Sequence, residues 1–168
     1  MAITYEKVQS TTLDSTQSSV SFTSISGAYT DLVLIINPIA NAASDSYPYI
    51  RFNSDSNTNY SRTFFRGTGA ATAADRASNE DRGYLIGGNV VQTNNAFNGI
   101  VNINNYSNTT TYKSYSSRTN SPTGTNASAE GLVGMWRSTS AITSITIYCG
   151  SNSFVSGSTF ALYGILKA

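Results

Sequence analysis

The chain has 168 residues, a net charge of +1 and only 11% charged side chains, against about 25% in an average domain. That size suits one domain, taken here as 1–168, able to bury roughly 70% of its unfolded surface without a metal or disulfide framework. The scattered lysines and arginines argue against a nucleic-acid footprint. The longest apolar run, "LVLII" at 32–36, is far short of the roughly 20 residues that span a bilayer.

The polar surface must come from hydroxyls and amides, since the chain holds 26 Ser, 21 Thr and 17 Asn. Such a surface hydrogen-bonds in all directions and repels little, which suits a protein packed against other proteins. "MAITYEKVQS" has no basic start followed by an apolar stretch, so no signal peptide is expected. Synthesis and use inside a cell, or release from it by lysis, is the expectation. The single Cys149 cannot form an internal disulfide and reads as a small buried hydrophobe.

In chain order the signals are those of strands. "SVSFTSI" (19–25) alternates Val20 and Phe22 with serines. "DLVLIIN" (31–37) is continuously apolar, as for a central strand covered on both faces. "YIRFNS" (49–54) places Ile50 and Phe52 on one parity. The stretch 70–82, "AATAADRASNEDR", has no apolar stripe and reads as a surface loop with one helical turn. "NGIVNINNY" (98–106) puts Val101 and Ile103 on one face and asparagines on the other. "SITIYCG" (144–150) alternates Ile145, Ile147 and Cys149 with Thr146 and Tyr148. "STFALYGILKA" (158–168) closes the chain, and its apolar "FALYGIL" is expected near a free edge, in want of a cover.

Turn signals separate these runs: "SGAYT", "NSDSNTN", "GG" at 87–88, "NSPTGTN" and "GSN". The three prolines, at 38, 48 and 122, fall at strand ends or in loops. The spacing predicts an all-β, antiparallel, jelly-roll-like sandwich. Its expected core is Val20, Phe22, Leu32, Leu34, Ile36, Phe52, Val101, Ile103, Ile145, Ile147, Phe160 and Leu162.

Catalytic chemistry finds little to work with. Histidine is absent, which removes Ser-His-Asp and Cys-His pairs and imidazole metal sites. Glu80 and Asp81 are adjacent, and adjacent side chains rarely converge on one substrate atom; a carboxylate pair brought together from distant strands is the remaining route. Alternate acidic and amide residues at 53–59 start like a calcium loop. Thr58 stands where the glycine belongs and Phe64 where the closing glutamate belongs, so a polar hairpin turn is the reading. The Asn-x-Ser/Thr triplets carry no weight in so Asn-rich a chain, and "GTGAA" at 67–71 lacks the context of a phosphate loop. The expectation is no enzyme, no cofactor and no metal.

Aromatic residues are the candidate contacts. Trp136 reads first as a core anchor and second as a platform for a sugar ring. Tyr106, Tyr112 and Tyr115 lie in "NYSNTTTYKSYSSRT" (105–119), too polar for a core and too poor in charge for an ordinary solvated face. They suit either a neighbouring subunit, since tyrosine is enriched in interface cores, or a glycan. That segment is expected to be a strand pair with an adhesive outer face.

Four segments together, "GAYTDLVLIIN" (27–37), "NYSNTTTYKSYSS" (105–117), "WRSTSAITSITIY" (136–148) and "STFALYGILKA" (158–168), resemble a family of small structural proteins of tailed bacteriophages of aquatic bacteria. The resemblance covers most of the chain in order, but not residues 67–97. It implies a β-sandwich virion component without an enzymatic site. A short single domain without a fibre stalk points to a capsid decoration (cement) protein at the capsid surface, with the major capsid protein or other virion proteins as partners. A homotrimer on a local threefold axis is the expected assembly. The alternative is a glycan- or receptor-binding domain of a tail fibre.

Overall fold

The computed structural model describes residues 4–41, 47–86, 97–121 and 127–166. It is all-β. The strands are β1 (Tyr5–Thr12), β2 (Ser19–Phe22), β3 (Asp31–Asn37), β4 (Tyr49–Phe52), β5 (Tyr60–Gly67), β6 (Thr72–Glu80), β7 (Gly83–Tyr84), β8 (Asn98–Asn104), β9 (Lys113–Ser121), β10 (Ser128–Trp136), β11 (Ile145–Tyr148) and β12 (Thr159–Ile165). They form a wide sheet, ordered β1-β12-β3-β8-β9-β10-β5-β6, and a narrow one, ordered β2-β11-β4-β7. Every pairing is antiparallel. The sandwich is the expected one. The eight-and-four division differs from the eight-stranded layout of a jelly roll, so that part of the expectation goes no further than the sandwich.

Period-2 alternation builds the core. All twelve expected core residues are buried, and they form one cluster with inward side chains from both sheets. Tyr60, Phe64, Tyr115, Leu132 and Trp136 add an aromatic half under β4, β5, β9 and β10. Cys149 is buried within the core cluster, as expected of a small hydrophobe.

The structure departs from the sequence reading at three strands. Residues 72–80 are strand β6, not a loop with a helical turn, because β5 offers a full partner and pairs with it from Gly67↔Thr72 to Tyr60↔Glu80. Asn79, at φ 60, sits where the register shifts between Tyr60 and Ser61, a bulge of the kind that ends edge pairing. Strand β3 is central, between β12 and β8; its inward face is fully covered, but its outward face only in part, with Val33 6% exposed and Ile35 36% exposed. The apolar "FALYGIL" is not at an edge. Strand β12 pairs with β1 on one side and β3 on the other, so its backbone needs no partner subunit. The edges of the wide sheet are β1 and β6. Pro38 directly follows β3 and Pro48 directly precedes β4. The turns expected at 87–88 and 122–126, with Pro122, lie outside the described residues.

Two glycines let the sheets close on Tyr115. A Cβ at Gly134 would lie 2.1 Å from the Tyr115 ring, and one at Gly83 would lie 2.6 Å from its hydroxyl. Tyr115 is itself buried, so its ring has nowhere to retreat. Gly134→Ala is therefore expected to cost about 1–3 kcal/mol by overpacking. Thermal unfolding should show it as a fall in Tm of roughly 3–10 °C for a chain of this length; an unchanged Tm would contradict the packing described.

Candidate functional site

Of the four aromatic residues singled out from sequence, three point inward. Tyr106 is fully buried; its hydroxyl donates to the Ser26 carbonyl and accepts from the Tyr29 backbone N–H at 3.4 Å. Tyr115 donates to the Tyr84 carbonyl at 3.1 Å and meets Phe52 edge-on at 5.7 Å. Trp136 packs on Phe52 at 5.7 Å and stacks on Tyr60 at 6.5 Å. These three are core residues and offer no face to a subunit or a glycan. The reason is parity: β9 turns Lys113, Tyr115, Ser117 and Thr119 inward, and its outward residues are Ser114, Ser116, Arg118 and Asn120. Tyr112, just before β9, is 56% exposed and keeps its candidacy.

Buried polar atoms in this segment are served by loops. The Lys113 ammonium donates to the carbonyls of Thr111 (2.7 Å) and Thr139 (3.2 Å), and burial pulls its pKa down. Ser117 donates to the Leu85 carbonyl at 2.6 Å.

The 53–59 stretch is a turn organised by one carboxylate. Asp55 accepts from the Asn57 backbone N–H (2.9 Å), the Asn57 and Asn59 side-chain amides (2.8 and 2.9 Å) and the Trp136 indole N–H (2.7 Å). Asn53 and Ser54 enter the turn at φ 52 and 57. Among the described residues no three His, Cys, Asp or Glu side chains gather as a metal site.

The outer face of the wide sheet is the larger candidate surface. On its six inner strands the outward positions carry two charges, Asp31 and Arg118, and the Asp31 carboxylate is taken by the Asn105 backbone N–H at 2.6 Å. Strand pairing sets Phe65 beside Gly131, Val133 between Ser116 and Thr63, and Met135 between Ser114 and Ser61. Phe65, Val133 and Met135 are 67%, 58% and 41% exposed. The Phe65 ring lies over Gly131, where a Cβ would meet it at 2.4 Å. Small neighbours leave shallow hollows of about 540 Å³ on either side of Val133. Strand alternation across 60–67 and 128–136 was the available signal, and it was missed because serine and glycine dilute the apolar positions.

The narrow sheet turns out a different surface. One row across it reads Ser19, Tyr148, Tyr49, Tyr84, and the next reads Ser21, Thr146, Arg51. Tyr49 meets Tyr84 edge-on at 4.9 Å and Tyr148 at 5.5 Å. Burial, with Tyr84 next to it, pushes the Tyr49 hydroxyl up to about 12.

No protein-family profile, curated protein or solved structure matches this chain.

The Asp55 turn carries a pH dependence. Burial alone would raise the carboxyl, but the bonds from Asn59, Trp136 and Asn57 outweigh it and hold the pKa below the ordinary value. A depressed carboxylate stabilises the fold above its unfolded pKa of about 3.9, and that share is lost as pH falls through the folded value. Asp55→Asn should cost about 1–3 kcal/mol at pH 7, where the indole N–H loses a charged acceptor. Denaturant unfolding between pH 7 and pH 2 checks it: the variant's stability should fall less steeply in acid than the parent's, and parallel curves would contradict it.

Proposed function

We propose that this chain is a structural protein of a tailed-phage particle. In this reading it is a capsid decoration (cement) protein that seats the outer face of its wide sheet on the capsid lattice, and it binds and holds rather than catalyses. The observation that carries the reading is the exposed group Phe65, Val133 and Met135 on a charge-poor face, whose six inner strands turn out Asp31 and Arg118 and whose edge strands add Lys7 and Arg76. Eight strands spaced about 4.8 Å apart and about 24 Å long make a surface on the order of 900 Å². A standard interface buries about 800 Å² per partner. A charge-poor face also fits a charge-poor partner, because an unmatched charge brought against its apolar part would be desolvated without compensation. The sequence resemblance supplies the particle, with the major capsid protein as partner.

The trimer remains part of the proposal, supported by the low charge, which limits repulsion between identical copies. The edge argument for it falls, since β12 is paired on both sides. The second reading, a receptor-binding domain of a tail fibre, draws its support from the tyrosine row of the narrow sheet.

Val133→Glu tests the docking face. The residue is 58% exposed, so the change should move stability by no more than about 0.5 kcal/mol. Cosedimentation with capsids assembled without this chain should fall at least tenfold for Val133→Glu and for Phe65→Glu. Tyr148→Phe, on the opposite sheet, should bind as the parent does. Full binding by both wide-sheet variants would overturn the reading.

A further inference from the structure

We propose that the outer face of the narrow sheet is a binding site for an acidic saccharide, centred on Arg51 and Tyr148. This is independent of what the wide sheet does, and it holds for a chain on a capsid or on a tail.

The tyrosine row is roofed by arginines. The Arg51 guanidinium lies 5.1 Å from the Tyr148 ring centre, Arg82 lies 5.0 Å from Tyr49, and Arg62 lies 4.2 Å from Tyr84. Stacking of this kind holds a guanidinium in a fixed orientation with part of its hydration removed. Asp81 bridges two of them, 3.2 Å from Arg51 and 2.5 Å from Arg82. Two cations against one carboxylate leave one positive charge uncompensated within the cluster. All three groups are about a third exposed, so the charge can be reached from solvent.

Beside Arg51 is a hollow of about 320 Å³, walled by Ser18, Ser19, Ser54, Thr146 and Tyr148. It lies at the lower end of the range of roughly 300–1,000 Å³ for small-ligand sites, which suits one sugar residue. Its wall is hydroxyl-rich, matching the alternating donors and acceptors of a sugar. The Tyr148 hydroxyl is buried and finds no hydrogen-bond partner among the described residues. In the unliganded chain that hydroxyl has no surface open to solvent, so the site requires Tyr148, which walls the hollow, to turn its hydroxyl out to a ligand oxygen, recovering the free energy that a buried polar group without a partner costs. Arg51 already donates from Nε and Nη2 to Asp81, and its remaining Nη1–Nη2 end is the part that can give a ligand carboxylate two parallel hydrogen bonds. Tyrosine faces and hydroxyls suit the rest of the ring. A carboxylated sugar, a uronic acid in a polysaccharide, satisfies both halves of the site; a neutral sugar leaves Arg51 unmatched.

The test is a titration of the full chain with trigalacturonate and, in parallel, with maltotriose, followed by two-dimensional NMR. Saturable shifts at Arg51, Thr146, Tyr148 and Ser19 with trigalacturonate alone are expected, weakening as salt is raised. Arg51→Gln should abolish the response, and Tyr148→Phe, which keeps the ring, should weaken it about tenfold, as loss of one hydrogen bond to a charged or polar ligand does. If Arg51→Gln unfolds, Tyr148→Phe decides alone. No saturable response to trigalacturonate at millimolar concentration overturns the site, as does a response centred on the wide sheet. Equal binding of maltotriose, unaffected by Arg51→Gln, overturns the acidic class.

Discussion

The ring of Tyr115 is the point at which the two sheets are tied together. It rises from β9 of the wide sheet, lies against Gly134 of β10, and reaches Gly83, Tyr84 and Phe52 of the narrow one. Its hydroxyl is removed from water, which drives the phenol far above its ordinary pKa, and its proton is spent on the Tyr84 carbonyl. Around it the other aromatics take their places: Phe52 meets Trp136 and Tyr60, and Trp136 reaches the Asp55 turn. Tyr115 therefore spans the gap at this point, with Gly134 of its own sheet and Gly83 of the facing one leaving room for its ring, and the rest of the shared core holds the same spacing elsewhere. With that spacing fixed, each sheet has an inner face given to the core and an outer face free for other uses.

The two outer faces are made from different materials. The wide sheet turns out serine, threonine, asparagine and a few apolar residues, with little charge. The narrow sheet turns out tyrosine and arginine, with Asp81 tying two guanidiniums together. A charge-poor face suits contact with a protein surface of the same kind, since neither side must strip water from an ion. A face of stacked guanidiniums and hydroxyls suits a ligand that brings its own negative charge. The composition that made the sequence look uniformly polar thus divides, in three dimensions, into two surfaces of opposite character.

The six apolar strands were legible because their alternation is strong. Val20 with Phe22, Val101 with Ile103 and Ile145 with Ile147 announce an inward face without help from the rest of the chain. Strands β1, β5, β6, β7 and β10 were not legible, for reasons that β10 and β6 illustrate. β10 interrupts its apolar parity with Gly134, needed for Tyr115. β6 is an edge strand of alanine and polar residues, held by β5 and not by burial. The tyrosines of 105–119 were misplaced because composition reports how polar a segment is, but not which parity faces the core; Tyr106 and Tyr115 are buried in a polar context, their hydroxyls satisfied by backbone carbonyls. The tyrosine–arginine cluster could not be read at all: Tyr49, Tyr84 and Tyr148 meet only through the pairing of β4 with β7 and β11.

The separation of the two outer faces is open to a direct measurement: hydroxyl-radical footprinting of the chain, free and on the phage particle proposed to carry it, read residue by residue by mass spectrometry. The account predicts that Phe65 and Met135, exposed in the free chain, lose most of their reactivity on the particle while Tyr148 and Tyr49 keep theirs. Protection of the tyrosines with Phe65 and Met135 unchanged would contradict it.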